Sequence, residues 1–244
     1  MNWTAGNPGG IADTRQACPM NTLSLRRTTL PLALALAACT GPAAPASGPE
    51  LLAAAHRALG VTDSVRTIWA IATVASPSGG FLARIASATD GRVRLALGEG
   101  LVAGVQGGRG WVCDSLGQVA SLDSITRSVV RGHDLHMLIV APGWLSAPTR
   151  DPDQRWGEDS VLTLRFQDEL GAPLLMRLRA ADSVPVGLDL VNHTGSGPRE
   201  VRVRLENWRE QAGVRLFRSA TFEHGENRFV YSYEELAINT LADS

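Results

Sequence analysis

Residues 206–239 read ENWREQAGVRLFRSATFEHGENRFVYSYEELAIN, and their period is that of strands, not of a helix. Phe229, Tyr231 and Tyr233 fall at every second position, which places three rings on one face of a strand. The run just before repeats the pattern, with Val201, Val203 and Leu205 opposing Arg202, Arg204 and Glu206. One face is therefore apolar and the other wetted, the mark of an antiparallel sheet.

Moving outward, the period of two persists. Leu162, Leu164 and Phe166 alternate with Thr163, Arg165 and Gln167. Leu174, Met176 and Leu178 alternate with Arg177 and Arg179, and Val186, Leu188 and Leu190 follow. Nearer the start, Ile68, Ala70, Ala72 and Val74 alternate with Trp69, Ile71 and Thr73, so both faces are apolar and a central strand is expected. Further strands are expected at 81–88, 92–97 and 101–106, and GWVCD and QVASLD form a short hairpin around Gly117. Two segments keep helical spacing instead. In PELLAAAHRALG, residues 49–60, Pro49 suits a first helical position, Leu51, Leu52, Ala55 and Leu59 share a face, and Gly60 supplies the stop. His56 is expected to be a partly exposed residue of that helix. In residues 123–145, Ile125 and Val129, then Leu135, Leu138 and Ile139, recur at helical spacing, Gly132 separates two short helices, and Pro142 ends the second. Residues 146–157, SAPTRDPDQRWG, read as a polar loop. The expected class is α+β, with about ten antiparallel strands, two or three helices and no βαβ alternation.

One helix, a long meander, a helical insert and a closing block of hairpins resemble the LolA/LolB lipoprotein-carrier superfamily. The quoted block is similar to the C-terminal hairpins of outer-membrane lipoprotein-sorting proteins, where a G-V-x-L turn and strand lead into a strand ending in an acidic residue and x-x-N. The matching residues are Gly213, Val214, Leu216, Glu235 and Asn239; Phe217 stands where the family usually has proline. The resemblance covers residues 50–240 as architecture. It implies a strongly curved half-barrel whose concave face is covered by helices, leaving an apolar cavity that in the family binds acyl chains or other hydrophobic ligands. The apolar residues of the helical insert, Val129, Leu135, Leu138, Ile139 and Trp144, are then the candidate ligand contacts.

The start of the chain points to the same compartment. In residues 20–38, Arg26 and Arg27 precede a short apolar run, LPLALALAA, in the order of a secretory signal peptide. That run falls short of the roughly 20 residues that span a bilayer. Leu36, Ala37, Ala38 and Cys39 resemble the lipobox of bacterial lipoproteins, which implies acylation of Cys39 and a membrane anchor without a span. Thr40, where an aspartate would retain the protein at the inner membrane, implies the outer membrane, periplasmic face. CTGPAAPASGP, residues 39–49, is a flexible tether, and residues 50–244 form one domain. Residues 1–19 contain nothing that the signal needs and read either as a start assigned too early, with Met20 the true start, or as a disordered extension.

Composition narrows the chemistry. The formal net charge of −1 becomes about −3 once residues 1–38 are removed, so nothing favours a nucleic-acid partner. All 23 basic residues are arginine, which excludes a P-loop lysine and a Schiff-base lysine. After acylation of Cys39, Cys113 stands alone and is expected to be a buried small hydrophobe. GHDLH, with His133, Asp134 and His136, spaces two histidines as metal ligands on a helix, but with no third ligand apparent it reads as an exposed polar turn. The glycines of GEGLVAGVQGGRG belong to hairpin turns. No catalytic residue, metal or cofactor is expected. The expected function is hydrophobic-ligand binding in lipid or lipoprotein transport; the alternative is an anchored, non-catalytic scaffold acting through a protein partner.

Overall fold

The structure, a computed structural model, describes residues 46–194 and 197–240. The expected upstream extension, signal peptide, Cys39 and nearly all of the tether lie outside the described residues. Helix α1 (Gly48–Leu59) is followed by strands β1 (Thr67–Ser76), β2 (Gly79–Ala88), β3 (Val93–Leu97), β4 (Leu101–Gln106), β5 (Arg109–Cys113) and β6 (Val119–Leu122). Helices α2 (Ser124–Gly132) and α3 (Leu135–Val140) come next. The chain continues through β7 (Thr149–Trp156), β8 (Asp159–Gln167), β9 (Pro173–Arg179), β10 (Pro185–Thr194), β11 (Gly197–Gln211), β12 (Val214–His224) and β13 (Asn227–Ile238). None of these helices is long and apolar enough to cross a membrane.

All the strands form one antiparallel sheet in the order β6-β5-β4-β3-β2-β1-β13-β12-β11-β10-β9-β8-β7. Apart from β6 and β7, every strand pairs with its neighbours in sequence, and β1 with β13 joins the two meanders. The sheet is curved but open, because its edges β6 and β7 do not pair. Those edges are consecutive in the chain. The α2–α3 connection must therefore run from one edge to the other, and it does so across the apolar face, where α3 joins the core.

The α+β class stands, but the strand count of about ten rises to 13. One addition is β7, in the segment expected to be a polar loop. An edge strand has one partner and a wetted flank, so its sequence need not be apolar. Pro152 falls where the β7–β8 register shifts between Asp151 and Gln154, a place with no ladder hydrogen bond for proline to break.

The local signals hold elsewhere. Leu51, Ala55 and Leu59 of α1 are buried, Gly60 turns left-handed at φ 70° and returns its N–H to the Arg57 carbonyl. The residues of the G-V-x-L block also acquire physical roles. Gly213 takes φ 79°, and its carbonyl approaches Gly60 so closely that a Cβ there would meet the oxygen at 2.3 Å. Asn239 bends the chain back at φ 57°. Its Oδ1 accepts from the N–H groups of Arg66 (2.7 Å) and Thr67 (3.2 Å), and its Nδ2 donates to the Ser64 carbonyl at 2.7 Å. The end of β13 is thereby fastened to the start of β1.

Candidate functional site

The helical insert sits on the sheet as a lid. Helix α2 starts at Asp123, whose carboxylate accepts the Thr126 N–H at 2.7 Å. Its outer side is tied to the β8–β9 turn: Arg127 forks onto Glu169 at 2.9 and 3.2 Å, and the Ser128 hydroxyl donates to Asp168 at 2.9 Å. Helix α3 is buried along all six of its residues. His56 of α1 is partly exposed, as expected, and donates from Nε2 to the Ile139 carbonyl at 3.1 Å. Burial lowers the His56 pKa against the opposing pull of that bond.

The GHDLH turn is not exposed. Asp134 is 7% and His136 2% accessible. The run that follows, LHMLIV, is apolar on every side of its one histidine, so α3 has no wetted face. His136 lies flat on Phe217 with ring centroids 3.9 Å apart, meets Tyr233 edge-on at 4.6 Å, and donates from Nε2 to the Phe217 carbonyl at 3.1 Å. His133 packs against Phe222 at 5.6 Å. Burial pushes both imidazoles down to about 4, so they are neutral at neutral pH. Burial pushes the Asp134 carboxyl up to about 7 against the bonds it accepts from Ser87 and the Met137 N–H. The residue that departs from the family pattern, Phe217, is thus the one against which the lid histidine stacks.

This seat is incompletely satisfied. Nδ1 of His133, Nε of Arg131 and the hydroxyl of Tyr233 are shielded from solvent and have no hydrogen-bond partner within the protein. Each such group costs about 1–3 kcal/mol in lost hydration.

Of the candidate ligand contacts, Leu135, Leu138 and Ile139 are fully buried in the core shared by α3 and the sheet. The space beneath α3 is filled by these side chains, because the six-residue helix lies directly on the sheet. Val129 is half-buried on α2, and Trp144, beyond α3, is half-exposed beside a small cleft of about 200 Å³. The sequence reading missed Tyr233, Phe217 and His136 as a unit; the signal was the apolar context of LHMLIV. Cys113, expected to be buried, is half-exposed at the end of β5.

No protein-family model and no curated protein matches the sequence. Solved structures do match the architecture. A LolA superfamily protein from Nitrosomonas europaea superposes with a TM-score of 0.58 at 16% identity, over 82% of this chain and 96% of its own. A domain described as an outer membrane lipoprotein-sorting protein from Vibrio parahaemolyticus gives 0.55 at 10% identity, over 78% and 92%. A DUF1329 family protein from Desulfovibrio piger gives 0.56 at 11%, over 79% and 92%. Superposition over 92–96% of the length of these proteins means that this chain has a LolA-like fold.

Proposed function

We propose that the protein is a lipoprotein anchored through Cys39 at the periplasmic face of the outer membrane, whose domain receives an acyl chain or other hydrophobic ligand beneath the α2–α3 lid in lipid or lipoprotein transport. The observation that carries this reading is the seat of the lid: a short helix over a deep apolar surface, with polar atoms of both lid and sheet left without partners where the two meet. Val129, Leu135, Leu138, Ile139 and Trp144 are the contacts the ligand gains as the lid lifts.

The magnitudes set a requirement on the ligand. Uncovering Leu135, Leu138 and Ile139 costs about 1.5–3 kcal/mol each, and each buried methylene of a ligand returns about 0.8 kcal/mol. A chain of about eleven carbons offsets the largest such cost. Affinity should therefore rise steeply with chain length.

The test uses protein beginning at Thr40, secreted through a cleavable signal and purified without detergent, then extracted with organic solvent for mass spectrometry. A stoichiometric lipid is the expected result. An empty extract, together with no binding of an apolar fluorescent probe, would overturn the reading. The filled interior favours a second reading, an anchored non-catalytic scaffold or assembly factor acting through a protein partner. Its candidate surface is the β5–β6 hairpin at the sheet edge, where Leu116 and Val119 are 80% and 70% exposed.

A further inference from the structure

Beside the lid, the start of α3, the turn carrying Trp144 and the β2–β3 turn enclose the cleft of about 200 Å³. That is below the roughly 300 Å³ at which pockets take whole small molecules. It is large enough for a head group. Its walls combine Val93, Met137 and the Trp144 ring with Arg92 and Arg131.

Arg131 is the unusual member. Its guanidinium lies over the Trp144 ring at 5.2 Å, and its Nε is shut from solvent with no acceptor. Burial lowers its pKa, and the carboxylate whose field opposes this, Glu169, is already held by both arms of the Arg127 fork. A guanidinium offers five donors in a planar fork suited to carboxylate or phosphate oxygens. The acids near the cleft do not fill that role. Asp90 bonds Arg92 at 2.8 Å, and Asp134 gives its oxygen to the Met137 N–H at 3.4 Å. With its carboxyl pushed up to about 7, Asp134 is largely protonated at slightly acidic pH and then does not repel an anion.

We infer that this cleft binds the anionic head, phosphate or carboxylate, of an amphiphile whose chain enters beneath the lid, with Arg131 as the charge partner and Trp144 as the wall where head and chain meet. The inference rests on the chain-binding reading above. It adds the ligand's charge.

The test titrates protein beginning at Thr40 with lysophosphatidic acid, with monoacylglycerol of the same sixteen-carbon chain, and with inorganic phosphate alone. Wild type should bind the phosphorylated amphiphile at least tenfold more tightly than the neutral one. Arg131→Met should erase that preference while monoacylglycerol still binds, which also reports that the variant is folded; Arg131→Lys should keep most of the preference. Equal affinity for both amphiphiles in wild type, or a preference that survives Arg131→Met, overturns the head-group site and leaves chain binding intact. Failure of both amphiphiles to bind overturns both readings. Arg131-dependent binding of phosphate alone, in protein that takes neither amphiphile, assigns the cleft to a free anion and overturns the lipid source.

Discussion

Two regions of the molecule bury polar side chains and treat them in opposite ways. On β8–β11, Arg177 is 6% accessible and bonded through all three of its nitrogens. Nε and Nη2 donate to Asp189 at 3.0 and 2.7 Å, and Nη1 to Gln154 and Thr163 at 2.8 and 2.9 Å. Asp189 also accepts from Arg202 at 3.2 Å. In the lid, Arg131 Nε and His133 Nδ1, and beneath it the Tyr233 hydroxyl, have nothing to bond within the protein. A satisfied network fastens neighbouring strands, whereas an unsatisfied one lowers the cost of parting the surfaces that bury it. His193 Nε2 on β10 and Trp208 Nε1 on β11 also lack hydrogen-bond partners, so the contrast lies between two clusters: the Arg177 network holds its strands together, and the α2–α3 seat is, under the proposed function, the one that parts.

The largest effect tests the scaffold. Asp189→Ala leaves Arg177 buried without its charge partner and should lower unfolding free energy by about 3–5 kcal/mol in a urea titration, as removal of one member of a buried pair does. A loss under about 1 kcal/mol would show that Gln154 and Thr163 suffice and that the network is not a fastener. Native-state hydrogen exchange tests the contrast directly. Amides of α3 should exchange through an opening about 3 kcal/mol or more easier than that exposing β10, given three unpartnered groups at about 1–3 kcal/mol each. Equal protection of α3 and β10 would remove the lid as a separate unit.

Acidification separates the groups of the seat from one another. His133 and His136, held down at about 4, take up protons in the unfolded chain near 6.5 but not in the folded one, so their contribution is lost as pH falls from about 6.5 to 4. Asp134 acts with the opposite sign: folded, it keeps its proton to about 7, whereas unfolded it releases it near 3.8, so its contribution is lost as pH rises through that interval. Two protons against one leave stability falling by about 1.4 kcal/mol per unit of acidification near pH 5. His56, also lowered by burial, adds in the same direction. His136→Gln should flatten that slope and Asp134→Asn should steepen it, both read from melting curves between pH 4.5 and 6.5. Slopes unchanged in both variants would place these groups in contact with solvent.

The scaffold was far more legible in the sequence than the seat. Alternation in β8–β10 and the period of β1 are consequences of one face being buried, and such patterns survive in sequence because a slip by one residue would invert every side chain. Strand β7 was hidden because an edge strand is not required to be apolar. The site was half visible. Leu135, Leu138 and Ile139 announce a buried helix, but GHDLH was read by composition as a wetted turn, since the ring that covers His136 comes from Phe217, eighty-one residues on. Only the fold brings a lid histidine and a β12 phenylalanine together, and no local pattern encodes that pairing.

The smallest change bears most directly on whether the seat is poised. Tyr233→Phe keeps the ring that meets His136 edge-on at 4.6 Å and Phe217 at 5.4 Å, and it deletes only a hydroxyl that is buried without a partner. Deleting an unsatisfied polar group returns its desolvation cost, so this variant should be more stable by about 1 kcal/mol, a rise of about 2–4 °C in Tm for a domain of this size. The same change should slow entry of a long-chain ligand, because the closed seat gains what the open one does not. A variant equal to or less stable than wild type would mean that the hydroxyl is bonded in solution by a trapped water. The seat would then be as well fastened as β8–β11, and the contrast between an opening lid and a fixed sheet would lose its physical basis.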